Sequence, residues 1–332
     1  MSLDTAVRKP HERLAAALSE DLVAVDALIR ERMASKNAPR IPEVTAHLID
    51  AGGKRLRPML TLAAARLCGY EGPYHIHLAA TVEFIHTATL LHDDVVDESR
   101  QRRGRPTANL LWDNQSSVLV GDYLFARSFQ LMVETGNMQV LDILANAAAT
   151  IAEGEVLQLS ASRNVATTED VYLQIARGKT AALFAAATEV GGVIAGQAPA
   201  TVRALHEYGD ALGVAFQIAD DLLDYEGSDA TGKNLGDDFR EGKLTLPVIR
   251  AIAAAAAEER AFWDRTIGKG RVGDSDLETA LGLMRRHGTL AATRADAIAW
   301  SGRAKTALSA LPEHPIRDML SDLADFVVSR LA

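Results

Sequence analysis

Apolar residues recur at spacings of three and four along almost the whole chain, and strict alternation over the length of a strand is nearly absent. A repeat near 3.6 residues is typical of amphipathic helices, whereas a repeat of two is typical of half-buried strands. The sequence therefore predicts an all-α fold. The candidate helices lie at 11–34, 42–50, 57–69, 75–99, 115–135, 138–162, 169–190, 201–225, 244–267, 274–287, 289–310 and 314–331.

The chain shows no repeat of fixed period, no low-complexity linker and no change of composition. The polar, glycine-containing stretches are short, and connections of this size belong inside a compact domain. They lie at 35–42, 99–107, 161–168, 226–243 and 268–273. Length alone suggests about two domains. We nevertheless expect a single large helical domain over residues 1–332.

Charge and cysteine content exclude several classes of protein. The 332 residues include 35 Lys and Arg against 44 Asp and Glu, a formal net charge of -9, which argues against nucleic acid as a partner because phosphate binding needs a basic face. The only cysteine, Cys68, permits no internal disulfide, so we expect a reducing, cytoplasmic compartment. We see no secretory signal and no apolar run of the roughly 18 residues that span a membrane.

Two candidate helices carry aspartate clusters near their carboxyl ends. The first cluster consists of Asp93, Asp94 and Asp97, and the second of Asp220, Asp221 and Asp224. The helix macrodipole disfavours anions at this end, and buried carboxylates are costly unless they are paired. A cation must therefore compensate them, and ligands that are all oxygen favour Mg²⁺ held together with substrate phosphates. Two such clusters, each followed by cationic segments, argue against simple solvated helix ends.

Basic residues follow or precede both clusters. They lie in GGKRLRP at 52–58, in SRQRRGRPT at 99–107, in GKT at 178–180, in GKNLGDD at 232–238 and in EGKLTLP at 241–247. Arginine can donate two parallel hydrogen bonds to a phosphate group, and lysine supplies a compact positive charge. Such residues beside carboxylates indicate a site that recognises a diphosphate. The chain has no GxxxxGK[ST] segment after a strand, so a nucleotide-binding P-loop is not supported.

Taken in order, these motifs resemble those of the trans-type polyprenyl diphosphate synthase family. The resemblance rests on GGKRLRP, DDVVD followed by RRGRPT, GKT, and FQIADDLLD, and it extends from about Gly52 to Pro247. It implies an isoprenoid-synthase fold around a central cavity, usually as a homodimer. It also implies prenyl transfer from an allylic diphosphate to isopentenyl diphosphate, with about three Mg²⁺ ions.

The resemblance assigns roles to individual residues. The metal-binding positions are Asp93, Asp94, Asp97, Asp220, Asp221 and Asp224, with Asp93, Asp97 and Asp220 as the principal ligands. The isopentenyl diphosphate site comprises Lys54, Arg57, His86 and Arg103. The contacts to the allylic diphosphate are Arg102, Lys179, Lys233 and Lys243. Thr180 and Gln217 match positions near the reacting centre, beside Lys179. No protein nucleophile is required, because the leaving pyrophosphate is stabilised by Mg²⁺ and cationic side chains.

The residues one turn before Asp93 bear on product length, since helical side chains lean toward the amino terminus and the tail cavity. They are Ala88 and Thr89, whereas short-chain members of the family carry bulky rings nearby. The segment HTATLLHDDVVDES is also similar to long-chain enzymes that make quinone side chains. We expect a product between octaprenyl and decaprenyl diphosphate, which could pass to a membrane.

Three alternatives stay open. A synthase making geranylgeranyl diphosphate would share all of these motifs. A class I terpene cyclase also uses DDxxD, but it does not need the second-substrate elements GGKRLRP and RRG, and its second metal motif normally mixes Asn, Ser or Thr with Glu. A non-catalytic helical subunit usually loses one or both aspartate motifs, whereas this chain keeps both.

Overall fold

The computed structural model describes residues 9–50, 52–226 and 235–329, and these residues form α-helices with one two-stranded ribbon. The prediction of an all-α fold is confirmed. In the first half of the chain the elements are α1 (Pro10–Ala17), α2 (Ser19–Met33), α3 (Arg40–Asp50), α4 (Leu56–Leu67), α5 (Tyr74–Val96), β1 (Gln101–Arg102), β2 (Arg105–Pro106), α6 (Ala108–Leu111), α7 (Asn114–Glu134) and α8 (Met138–Ala161).

The second half of the chain continues with helices, two of which run into π-helical turns. The elements are α9 (Glu169–Ala176), a π-helical segment (Arg177–Ala181), α10 (Ala182–Ile194), α11 (Pro199–Glu226), α12 (Asp237–Glu241), α13 (Leu246–Ala254), α14 (Ala257–Trp263), a second π-helical segment (Asp264–Gly268), α15 (Asp276–Arg286), α16 (Thr289–Leu308) and α17 (Pro315–Ser329). Thr168 caps α9 as its sequence position suggests, accepting a hydrogen bond from the Val171 amide at 3.4 Å.

Three predicted helices are interrupted. The helix expected at 11–34 breaks at Leu18, where the backbone leaves helical geometry, and no local residue signals the break. The helix expected at 244–267 stops at Ala255, whose backbone is extended; α14 then begins as the Glu259 carboxylate accepts from the Ala256 amide at 3.0 Å. The helix expected at 169–190 contains the π-helical segment. The spacing of apolar residues along the sequence does not reveal such local changes in helix geometry.

The described residues group into two compact units. The first comprises Met1–Ala148, Leu183–His206 and Leu308–Asp322, and the second comprises Ala149–Ala182, Glu207–Ala307 and Leu323–Ala332. The expectation of a single domain stays a prediction.

Helix α5 is the centre of the first unit and packs against α2, α4 and α7. It is buried on nearly all sides, which matches its almost continuous apolar sequence. Small residues let neighbouring helices approach closely: a Cβ at Gly191 of α10 would lie 2.6 Å from the Ala64 Cβ of α4. This close helix-on-helix packing leaves most residues of α5 buried.

The second unit has an aromatic cluster in its core. Trp263 is almost fully buried and meets the rings of Phe239 and Phe262 edge-on, with centroids 6.3 and 5.1 Å apart. Helix α13 packs nearby against α9, α14 and α15. Across the described ranges, none of the helices combines the length and apolar character needed to cross a membrane.

Candidate active site

The first aspartate motif occupies the last turn of α5. Asp97 ends the helix, and its amide donates to the Asp93 carbonyl at 2.8 Å. The side chains of Asp93 and Asp97 are half-buried, whereas Asp94 is fully buried. The cluster therefore does lie at the negative end of a helix dipole, as the sequence predicts.

An arginine of the following hairpin holds the buried Asp94. The Arg102 Nε donates to the Asp94 Oδ1 at 2.8 Å, and a terminal nitrogen of the same guanidinium lies 2.7 Å from that oxygen. Burial raises the pKa of Asp94, and the hydrogen bond from Arg102 opposes the rise. Arg102, predicted to contact the allylic diphosphate, is placed by the structure against this carboxylate.

A tight hairpin carries two of the predicted cations. Arg103 and Gly104 both have positive φ, of 54° and 74°, and connect β1 to β2 with Arg102 opposite Arg105. Two successive residues of positive φ match the twist of a two-residue hairpin. From the sequence, residues 99–107 are expected to be a polar connection, and the short ribbon is not predicted. The Arg103 guanidinium donates to the Gly52 carbonyl, so the hairpin docks on the segment that precedes α4.

Arg57 and His86 form the centre of the basic cluster in the first unit. The Arg57 guanidinium lies 3.2 Å from the His86 Nε2 and 4.8 Å from the centre of the Phe184 ring. Burial, followed by the positive charge of Arg57, lowers the pKa of His86 well below its ordinary value. The imidazole is therefore neutral, and its Nε2 accepts the hydrogen bond from Arg57. Burial also lowers the pKa of Arg57, to about 10.

The structure thus brings together three of the four residues predicted for isopentenyl diphosphate, namely Arg57, His86 and Arg103, while Lys54 lies exposed in the neighbouring segment. Arg55, to which the resemblance assigns no role, is paired with Glu83 at 2.8 Å and with Asp26 at 3.2 Å. A concentration of guanidinium groups around a neutral histidine suits a multiply charged anion.

The second aspartate motif lies near the end of α11, where a chain of hydrogen bonds surrounds Asp221. The Tyr172 hydroxyl donates to its Oδ2 at 2.6 Å, and the Gln217 amide donates to its Oδ1 at 2.7 Å. The Thr180 hydroxyl in turn donates to the Gln217 carbonyl oxygen at 2.6 Å. Two residues predicted near the reacting centre are therefore bonded to each other.

Asp221 is buried, whereas Asp220 beside it is half-buried. Burial and the charge of Asp238 raise the pKa of Asp221 to about 8, while the bonds from Tyr172 and Gln217 act in the opposite direction. Burial, followed by the charge of Asp221, raises the pKa of Tyr172 well above its ordinary value. The phenol therefore stays protonated and acts as a donor.

Asp224 is the last residue of the second motif, and it holds the start of α12. Its two carboxylate oxygens accept from the amides of Asp237 and Asp238 at 3.2 and 3.1 Å, at the start of α12. Lys243, a predicted diphosphate contact, lies 2.6 Å from Glu241 and 3.7 Å from Asp238. Lys233 lies outside the described residues.

Lys179 and Thr180 lie in the π-helical segment, and a close helix crossing holds them there. A Cβ at Gly154 of α8 would lie 2.7 Å from the Lys179 amide nitrogen, so no larger residue fits at this crossing without displacement of the backbone. The Lys179 ammonium is 2.9 Å from the Glu155 carboxylate. Such π-helical turns occur often at functional sites.

Sequence reasoning did not identify Tyr172 or Glu155. Tyr172 lies in an apolar helix with no motif beside it, so only its contact with Asp221 reveals it. Gly154 did carry a signal, because an isolated glycine within a helical pattern often marks a close approach of two backbones. The two residues predicted to influence product length lie on α5, where Ala88 is fully buried and Thr89 is half-buried.

The carboxylates fit a hard cation, as the donor chemistry and one orphaned atom indicate. The buried Asp94 Oδ2 has no hydrogen-bond partner within the described part of the chain. Within the same ranges, no three or more His, Cys, Asp or Glu side chains cluster tightly enough to hold a metal unaided. Mg²⁺ keeps several waters and binds through one or two carboxylates plus substrate phosphates, so it does not require such a cluster.

Comparison with known proteins places this arrangement in a family. Residues 38–284 match the model of the family described as Polyprenyl synthetase. An all-trans-nonaprenyl-diphosphate synthase (geranyl-diphosphate specific) from Rhodobacter capsulatus is 45% identical over 318 residues, which cover 95% of this chain and 97% of that protein.

Two solved structures extend the similarity to three dimensions. A decaprenyl diphosphate synthase from Rhodobacter capsulatus matches with a TM-score of 0.95 at 72% identity, covering 97% of this chain and 99% of that one. A polyprenyl synthase from Caulobacter crescentus, complexed with calcium and isoprenyl diphosphate, matches with a TM-score of 0.93 at 52% identity, covering 98% and 100%. The chain belongs to the polyprenyl synthetase family.

Proposed function

We propose that this protein is a Mg²⁺-dependent prenyltransferase. It condenses an allylic diphosphate with successive molecules of isopentenyl diphosphate and makes a long-chain all-trans polyprenyl diphosphate for quinone side chains. The observation that carries the proposal is the presence of both aspartate motifs at helix ends, in a chain whose similarity to nonaprenyl and decaprenyl synthases covers nearly its whole length.

Asp93, Asp97 and Asp220 are the residues that would hold the metal ions. They are half-buried, and the buried Asp94, Asp221 and Asp224, which accept hydrogen bonds from the protein, complete the two metal motifs. Bound Mg²⁺ supplies positive charge that stabilises the pyrophosphate leaving group. The calcium in the Caulobacter crescentus structure supports a divalent cation of this kind.

The basic residues divide between the two substrates. Arg57, His86 and Arg103 with Lys54 bind the diphosphate of isopentenyl diphosphate, since they form one cationic cluster in the first unit. Lys179, Lys243 and Lys233 bind the allylic diphosphate, and Arg102 acts there through Asp94. Lys179 and Lys243 each lie beside a carboxylate, which holds the ammonium in place before substrate arrives.

The chemistry follows from charge stabilisation. The allylic carbon–oxygen bond breaks, and its electron pair leaves with pyrophosphate. The double bond of isopentenyl diphosphate then forms the new carbon–carbon bond with the allylic cation, and a proton is lost to the departed pyrophosphate. Thr180 and Gln217 contribute oriented dipoles beside the cation rather than an acid or a base.

The homodimer is supported by an apolar face on α7. Leu119, Ala126, Phe129 and Val133 follow one another at spacings of seven, three and four, and all four are exposed. Exposed apolar surface of this kind marks a protein interface. Sedimentation at micromolar concentration should show a dimer, and a monomer would exclude this assembly.

The domain organisation, the cellular compartment and the fate of the product complete the proposed function. The chain acts as one domain, because the family match at 38–284 includes residues of both units. The single cysteine suits the reducing cytoplasm.

A long all-trans tail is apolar, so the product passes to a membrane, and lipid vesicles should therefore raise steady-state turnover.

Incubation of the protein with geranyl diphosphate, labelled isopentenyl diphosphate and Mg²⁺ tests the function directly. We expect one pyrophosphate released per isoprene unit added, and mass spectrometry of the dephosphorylated product should show octaprenyl to decaprenyl chains. A geranylgeranyl product would refute the long-chain assignment, and absence of any prenyl transfer would refute the enzyme.

Asp93→Ala and Asp220→Ala test the metal assignment. Each should lower turnover by about 10²-fold or more, since the charge of the leaving group is no longer balanced. Helical content by circular dichroism should stay intact. Asp142→Ala, at an exposed aspartate of α8, provides the matched control and should retain turnover. Near-normal activity of either motif variant would remove the metal assignment.

A further inference from the structure

Tyr172 and Thr180 each donate a hydrogen bond to a different residue of α11, and those two residues are bonded to each other. Tyr172 donates to Asp221, and Thr180 donates to Gln217 one turn earlier. The Gln217 amide joins the two halves by donating to Asp221 at 2.7 Å. The result is an unbroken chain of three hydrogen bonds that runs from the phenol to the threonine.

The π-helical segment explains how two residues eight positions apart can face the same helix. In a regular α-helix of 3.6 residues per turn, eight residues leave the two side chains about 80° out of phase. A π-helical turn closes i to i+5 hydrogen bonds and takes up extra residues per turn, which reduces this angle. The segment Arg177–Ala181 lies between Tyr172 and Thr180 and includes Thr180.

With Asp221 ionised, each link of the chain has only one direction, because a carboxylate can only accept hydrogen bonds. Asp221 accepts from both Tyr172 and Gln217, so the Gln217 NH₂ group must point toward Asp221. The carbonyl oxygen of that amide therefore points toward Thr180 and accepts its only hydroxyl proton. The Thr180 hydroxyl therefore has no further proton to donate, and it can offer only its lone pairs to a neighbouring group. An oxygen in this state stabilises a cation and cannot donate to an anion.

We propose that Tyr172 is a positioning residue, which acts through Asp221 and Gln217 to fix the Thr180 hydroxyl as an acceptor beside the reacting carbon. The inference rests on the proposed function for the identity of the reacting group. The coupling between Tyr172 and Thr180 is a property of the folded protein and does not depend on that function. Tyr172 is almost fully buried and touches no substrate in this scheme.

Turnover kinetics test the catalytic consequence. Tyr172→Phe removes the hydroxyl and keeps the ring, and we expect kcat to fall about tenfold while KM for both substrates changes less than twofold. Mn²⁺ affinity in the presence of pyrophosphate should also change less than twofold. Thr180→Val should lower kcat, and adding Tyr172→Phe to it should lower kcat no further. A double variant whose loss equals the product of the single losses would refute the coupling.

Urea unfolding of the metal-free protein tests the coupling without any activity. The shift in midpoint for Tyr172→Phe with Thr180→Val should be smaller than the sum of the two single shifts. The matched control is Tyr208→Phe with Thr180→Val, because Tyr208 is fully buried on the same helix and lies nine positions before Gln217. The control pair should be additive. Additive shifts for Tyr172 and Thr180 would overturn the inference, whereas an inactive wild-type protein would refute only the proposed function.

Discussion

Arg102 holds the fully buried Asp94 through a single carboxylate oxygen, with its Nε at 2.8 Å and a terminal nitrogen at 2.7 Å. The second aspartate motif shows the same division, because Asp221 is buried and bonded within the protein while Asp220 is half-buried. In each motif, one aspartate is committed to the protein and its neighbour is more accessible. The two adjacent aspartates of each motif therefore differ in their burial.

The Asp94–Arg102 pair yields a prediction for stability. Arg102→Met leaves a buried carboxylate without its cation, which costs about 3–5 kcal/mol for a fully buried pair. The Arg102 side chain is 27% exposed, so we expect about 2–3 kcal/mol here. Asp94→Asn in the same chain should recover part of the loss. Urea unfolding measures both, and the exposed Arg105→Met is the matched control. Equal stability of Arg102→Met and Arg105→Met would contradict the pairing.

The crossing of Gly154 with the π-helical segment predicts sensitivity to one methyl group. Gly154→Ala would place its Cβ 2.7 Å from the Lys179 amide nitrogen, so the backbone that carries Lys179 must move. We expect a loss of about 1–3 kcal/mol in stability and a fall in kcat. Gly282→Ala on α15 meets nothing within 4 Å and should instead gain up to about 1 kcal/mol. The prediction fails if the two variants behave alike.

Product length should respond to bulk on α5. Ala88→Phe and Thr89→Phe each place a ring one turn before Asp93, and we expect shorter products from at least one of them if this face lines the cavity for the tail. Ala88 is fully buried, so circular dichroism must show that its variant still folds. Chromatography of the dephosphorylated products measures the effect. An unchanged product distribution from both folded variants would place the tunnel elsewhere.

The Asp276–Arg265 pair predicts how stability depends on pH. Two hydrogen bonds from Arg265, at 2.7 and 2.8 Å, and then one from the Gly273 amide lower the pKa of Asp276 from 3.8 to about 2. A lowered pKa means that the pair stabilises the fold above pH 3.8, and that the stabilisation is lost as pH falls toward 2. The Tm difference between wild type and Asp276→Asn should be constant above about pH 5 and fall to a small fraction of that value near pH 2. A difference that persists at pH 2 would show another cause.

The burial of Cys68 predicts low reactivity. Burial raises the pKa of its thiol to about 11, so roughly one molecule in a thousand carries the thiolate at pH 8. Labelling with a thiol reagent at pH 8 should be slow in the folded protein and fast in urea. Rapid labelling of the native protein would contradict the environment that α4 provides for this residue.

Much of this protein could be predicted from its sequence because helices are built from local contacts. The spacing of apolar residues identified the all-α fold and most helix positions, and both aspartate clusters lie near helix ends as the sequence predicts. Carboxylates within a run of apolar residues indicate a nearby cation or hydrogen-bond donor, because the free-energy cost of burying their charge must be offset. The order of the motifs was also sufficient to indicate the family that the comparisons confirm.

The tertiary structure alone decided which distant residue the buried aspartate of each cluster meets. Asp93 and Asp94 are adjacent and identical in type, and nothing in the sequence says that the hairpin brings Arg102 to Asp94. Tyr172 and Asp221 are 49 positions apart, and no local pattern joins them. Hydrophobic period reports which face of a helix is buried; it does not report which distant residue meets that face, because that depends on how the helices pack.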